Sequence, residues 1–124
     1  RTKNISFDGK KDTALDKNGI VYEKFGLFTD KNGNLMVPVR KSLELMNKNL
    51  TFVWNNEEKS LWNSDFNFKI TGGEKNALIN GKTYFLENKP VIKNGTLYVE
   101  FSDFAMLTGK GSIYNKTIKN GTLF

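Results

Sequence analysis

One long self-similarity constrains this 124-residue chain more than anything else in it. Asn32-Gly33-Asn34-Leu35-Met36-Val37-Pro38-Val39 returns 62 positions later as Asn94-Gly95-Thr96-Leu97-Tyr98-Val99-Glu100-Phe101. The register then continues without a gap, with Leu45 against Leu107 and Asn47 against Gly109. A recurrence spaced this widely marks a duplicated supersecondary unit, so the fold must contain the same local structure twice. The length suits one domain, or two small interlocked units sharing a core. The reading is a single domain over 1–124, with pseudo-repeats at about 5–71 and about 76–124.

Turn signals divide the chain at short intervals: Asp8-Gly9, Asn18-Gly19, Asn32-Gly33, Gly72-Gly73, Asn80-Gly81, Asn94-Gly95 and Asn120-Gly121. Asn-Gly and Asp-Gly suit two-residue hairpins in which both central residues take positive φ. Asn76 to Ile79 and Lys82 to Leu86 flank one such turn as strands. Thr51 to Trp54 and Ser60 to Ser64 bracket the polar Asn55-Asn56-Glu57-Glu58 as another hairpin. Phe66, Phe68 and Ile70 alternate with Asn67 and Lys69, the period of a half-buried strand. Phe7-Asp8-Gly9-Lys10 pairs best with Ile79-Asn80-Gly81-Lys82 at a spacing of 72, which puts about ten extra residues between Asp12 and Asp30. The alternative pairs Asn18-Gly19 with Asn80-Gly81 at the constant 62.

Two segments break the β pattern. Val39, Leu43 and Met46 fall at i, i+4 and i+7, behind a Pro38 that a first helical turn accepts and ahead of a left-handed cap expected at Asn47. Phe101, Phe104, Ala105 and Leu107 form the matching face, with Gly109 as the stop. Each unit reads as hairpin, strand, short helix, hairpin, an α+β architecture of antiparallel strands on two amphipathic helices. The expected core is Val39, Leu43, Met46, Trp54, Leu97, Val99, Phe101 and Phe104.

Composition narrows the chemistry. The chain has no Cys and no His, which removes disulfides, thiolates, imidazole bases and the preferred ligands of borderline metals. Oxygen sites for hard cations remain, and Asp30-Lys31-Asn32-Gly33-Asn34 has the outline of one. It fails because its Gly falls two places early and Lys41 occupies the bidentate acid's place, so a tight turn is expected, with no metal and no cofactor. The net charge of +6 comes from scattered lysines, with Arg1 and Arg40 the only arginines. That pattern does not suit nucleic-acid recognition, whereas a diffuse positive field favours anionic polymers such as a cell wall. No apolar run approaches the ~18 residues of a membrane span. A chain starting at Arg1 reads as a processed or truncated piece.

The candidate binding residues are Arg40, as a fork for carboxylate or phosphate, and Tyr22 and Trp62, as aromatics freer than their neighbours. For catalysis, Glu57-Glu58, Glu100 with Asp103, and Ser42 beside Lys41 form no working arrangement: adjacent glutamates in a turn diverge, and acids at a helix start serve its dipole.

The run Gly33 to Arg40, then Leu43-Glu44-Leu45-Met46, then Phe52-Val53-Trp54-Asn55, resembles the repeat of the copper amine oxidase N-terminal-like, or stalk, domain. Val91 to Val99 resembles it again, then departs, with Glu100 in place of Pro and Ser102 in place of Arg. The likeness covers residues 5 to 116. It implies a curved antiparallel sheet around a helix, a place in secreted or surface proteins of Gram-positive bacteria, and no part in the oxidase's copper chemistry. The leading expectation is thus a non-catalytic extracellular interaction or spacer module. The alternatives are a cell-wall polymer or glycan-binding module, or an accessory fragment of a larger enzyme. A protein partner or an anionic wall polymer is the expected ligand class, and the oligomeric state stays open.

Overall fold

The computed structural model describes residues 4–46 and 50–124, and the cap expected at Asn47 lies outside them. The first seven strands are β1 (Ser6–Asp8), β2 (Thr13–Leu15), β3 (Val21–Glu23), β4 (Phe28–Thr29), β5 (Leu35–Pro38), β6 (Phe52–Asn55) and β7 (Ser60–Asn63). Helix α1 (Val39–Glu44) follows the fifth of them. The second seven are β8 (Phe68–Thr71), β9 (Asn76–Ile79), β10 (Lys82–Phe85), β11 (Val91–Lys93), β12 (Thr96–Glu100), β13 (Ser112–Asn115) and β14 (Asn120–Leu123). Helix α2 (Phe101–Leu107) again follows the fifth.

The strands form three antiparallel sheets curled as a half-barrel, with two helices: an α+β fold. The five-stranded sheets run β13-β14-β1-β2-β3 and β6-β7-β8-β9-β10, and the four-stranded one runs β4-β5-β12-β11. The last hairpin of each seven-strand set therefore extends the first three strands of the other set. Between the helices, β5 pairs with β12 through Val37 opposite Val99. The core collects here: Phe7, on β1, meets Phe25, Phe101 and Phe104 with ring centroids 5.7 to 6.5 Å apart. Val39, Leu43, Leu97, Val99, Phe101 and Phe104 are buried as expected, and Met46 packs partly buried at the margin.

Trp54 departs from the expectation. It is 39% exposed and does not belong to the core. Its strand β6 is the edge of its sheet, paired with β7 alone, so no further strand covers the inward-facing ring.

Two kinds of turn recur, beside the Asp16–Gly19 and Asp30–Gly33 turns, which set a left-handed Gly three positions after the Asp. Asn80-Gly81 and Asn94-Gly95 take positive φ at both residues, as a two-residue hairpin demands. Four other hairpins open instead on an Asp or Asn whose side chain accepts from backbone N–H groups two or three residues on, and place a left-handed residue four positions later. These are Asp8 with Asp12, Asn55 with Lys59, Asn63 with Asn67, and Asn115 with Lys119. Asp8-Gly9 is thus no two-residue turn, and Asn120-Gly121 lies inside β14. The spacing corrects a second expectation: β1 to β5 begin 29 positions apart (Ser6, Leu35) and β8 to β12 begin 28 apart (Phe68, Thr96). The ten additional residues are absent, and Asn18-Gly19 occupies the connection that corresponds to Asn80-Gly81.

β1 and β14 are antiparallel neighbours, with Ser6 opposite Thr122, and the Leu123 N–H donates to Ile5 O at 2.8 Å. The beginning and end of the fold lie side by side.

Candidate functional site

A groove of about 450 Å³ opens where α1, the edge strand β6 and the β11–β12 turn meet, lined by Pro38, Arg40, Lys41, Trp54, Leu61, Gly95, Thr96 and Leu97. Pairing dictates its floor. Trp54 lies opposite Leu61, which lies opposite Ile70, so Trp54 shares the inner face of the sheet with two buried aliphatics. Phe52, two residues earlier, points the same way, and the Arg40 guanidinium sits over its ring at 4.9 Å. The fork is thereby held beside Trp54 by cation–π contact. Lys41, the next residue, reaches across to the Phe25 segment: its Nζ donates to the Phe25 carbonyl at 2.7 Å and lies over that ring at 4.9 Å.

The corresponding place at α2 is filled. Tyr114, the third residue of β13 as Trp54 is of β6, packs on Phe101 and donates from its hydroxyl to the Gly33 carbonyl at 3.3 Å. Burial raises the Tyr114 phenol above its ordinary value, with the charges of Glu100 and Asp30 adding to the effect. Phe101 opens α2 where Val39 opens α1, and it lies against Gly121, where a Cβ would stand 2.8 Å from the ring. β7 carries Leu61 at the matching second position. A large helix residue over glycine closes one side, and the other, with the smaller Val39 and a leucine at the matching positions, is open.

Of the expected binding residues, the structure brings only Arg40 to this groove. Tyr22 lines a second recess of about 360 Å³ with Glu23, Phe25, Lys41, Glu44 and Leu45. Its hydroxyl donates to Asp16 Oδ2 at 3.0 Å, which raises the phenol. Trp62 stands on the outer face of the β6–β10 sheet, in a cross-strand row with Val53, Lys69 and Leu78. Lys69 there pairs with Glu58 at 2.8 Å. Trp54 is the residue that sequence reasoning placed wrongly. The available signal was Val39 and Leu61 standing at the positions that Phe101 and Gly121 hold in the second seven-strand set.

Two acidic features resolve as scaffold. Asp30 Oδ1 accepts from the N–H groups of Asn32 and Asn34, and Oδ2 from the Asn34 side chain, so the calcium-like run is a side-chain-closed turn. Burial pushes the Asp30 carboxyl up, but these hydrogen bonds and Lys116 outweigh it and hold it below the usual range. At α2, Glu100 caps the helix, accepting from the N–H groups of Ser102 and Asp103 and from the Ser102 hydroxyl. Asp103 accepts from the N–H groups of Glu87 and Asn88 at 2.8 and 3.1 Å. Burial drives its carboxyl above the usual range, helped by Glu100 and Glu87 and opposed by those two hydrogen bonds.

Fourteen strands, two short helices and an open groove make up the described part of the fold. A family model describing the copper amine oxidase N-terminal domain matches residues 15–120, and the chain belongs to that family. In copper amine oxidases this domain is accessory and non-catalytic. No curated protein and no solved structure matches the chain. No helix among the described residues is long and apolar enough to cross a membrane.

Proposed function

We propose that the chain is a non-catalytic interaction module of a secreted or cell-surface protein, and that its two seven-strand sets derive from one duplicated unit. The duplication is supported by the matching element order and by the spacing of 62 that separates Ser6 from Phe68 and Val39 from Phe101. A setting outside a Gram-positive cell rests on the family resemblance.

The observation that favours interaction over spacing is the neighbouring position of Ile5 and Leu123. Flanking segments joined to such a fold leave from one place. The module then hangs beside its parent chain and adds little to its reach, whereas a spacer needs ends at opposite poles. Binding of a wall polymer or glycan is the second reading, favoured by the open groove and the net charge of +6.

Retention of the purified chain on peptidoglycan and on an anionic wall polymer, at two salt concentrations, tests the proposal. The expected result is retention that weakens with salt. A spacer would be retained on neither, and a tandem concatemer would lengthen in small-angle scattering by a full module per copy.

A further inference from the structure

We propose that the groove beside Trp54 binds a carboxylated sugar ring, a hexuronic acid unit of an acidic polysaccharide. This deepens the reading of the chain as an interaction module and rests on it. An indole ring at the rim of a groove offers a flat apolar surface to the C–H face of a pyranose. Trp54 has that placement: its strand is a sheet edge, the residue is 39% exposed, and Leu61 and Leu97 line the same groove. At about 450 Å³ the groove falls in the range of small-ligand sites, roughly 300 to 1,000 Å³.

The charge chooses the sugar. Among the described residues, no acidic one lines the groove. Of the two cations that line it among the described residues, Lys41 is engaged by the Phe25 carbonyl, while Arg40 has no acidic partner there. A guanidinium matches a planar carboxylate with two parallel hydrogen bonds. Phe52, under Arg40, and Trp54 are two residues apart on one strand face, about 7 Å. One pyranose with its exocyclic carboxylate bridges that separation. The other candidates lack this combination. The Tyr22 recess sets Glu23 and Glu44 against Lys41, and the Trp62 row is a strand face whose cation, Lys69, is paired with Glu58.

Calorimetric titration of the whole chain with an oligogalacturonate, a neutral gluco-oligosaccharide and poly(glycerol phosphate) tests this, with native amide spectra recorded for every variant. The expected result is binding of the oligogalacturonate alone, weakened at least about tenfold in Trp54→Ala, Arg40→Gln and Arg40→Lys and unchanged in Phe85→Ala. Equal affinity for the neutral oligomer overturns the carboxylate. Binding of poly(glycerol phosphate) that needs Arg40 but not Trp54 overturns the sugar. Loss in Trp62→Ala but not in Trp54→Ala overturns the groove and leaves the interaction module standing. Absence of any oligogalacturonate binding overturns the proposal too, and retention on wall fractions then judges the interaction module separately.

Discussion

Helices α1 and α2 follow equivalent strands and pack on the same central pair, yet they start from opposite chemistry. α2 is capped by Glu100, opens on a phenylalanine seated over Gly121, and holds the β10–β11 loop by offering the Asp103 carboxylate to two backbone N–H groups. α1 has Pro38 at its cap with no side-chain bond, opens on Val39, and holds the Phe25 segment by the reverse arrangement, the Lys41 ammonium on a carbonyl. Both helices do the same structural task of tying a loop to a sheet. One does it with the groove shut and a net negative start, the other with the groove open and two cations at its mouth. The two helix starts thus differ in chemistry at matched positions of a common element order.

Several substitutions test that contrast. Phe101→Ala is expected to destabilise the protein by about 3–5 kcal/mol, and Val39→Ala by roughly half as much, because the second leaves a smaller cavity. Equal losses in urea denaturation would show that the two sides are packed alike. Gly121→Ala should cost about 1–3 kcal/mol, because its Cβ meets the Phe101 ring in a packed core. The reciprocal pair Val39→Phe with Leu61→Gly should be tolerated better than Val39→Phe alone, and should close the groove.

The clamps should also differ in acid. Because the Asp103 carboxyl titrates above its unfolded value of 3.8, the native state takes up that proton first as pH falls. Its contribution to stability is then greatest below 3.8 and declines as pH rises through the folded value. Asp103→Asn should remove this decline from a pH series of unfolding midpoints, and Lys41→Met should leave it in place. Asp30, held low, contributes in the opposite sense, giving stability above 3.8 that is lost on acidification. The smallest effect concerns Ser42, whose buried Oγ has no hydrogen-bond partner among the described residues where α2 carries Phe104. Ser42→Ala should stabilise by about 1 kcal/mol, read as a raised thermal midpoint.

Local chemistry was legible in the sequence, and long-range arrangement was not. Asn80-Gly81 and Asn94-Gly95 announced their hairpins because only residues tolerant of positive φ fit both central positions. The end of α2 was equally plain: Gly109 takes φ +69, its N–H bonds to Met106 O, and the Lys110 N–H closes back on Ala105 O. Of the four Asp- or Asn-opened turns, the polar run at Asn55 marked one and Asp8-Gly9 another, while those at Asn63 and Asn115 carry no such mark because their left-handed residues are Asn67 and Lys119, not glycine. Asp8-Gly9 imitated a two-residue turn although the strained position is Asp12. Trp54 was misplaced for another reason. Alternation told which face of β6 it occupies, but whether that face is covered depends on which strand is the edge. That is decided by β7 joining β8, and by β14 returning to β1, pairings between distant segments that no local pattern records.

The closing of β14 onto β1 also governs how the fold bears load. Ile5 and Leu123 lie at the same end of one antiparallel pair, so tension applied between the two ends would pull across the ladder and peel Leu123 from Ile5 first, then Thr122 from Ser6. The hydrogen bonds break one after another and not together in shear. Pulled this way the fold would open at its seam under modest force before the β5–β12 centre, which the tension does not reach directly.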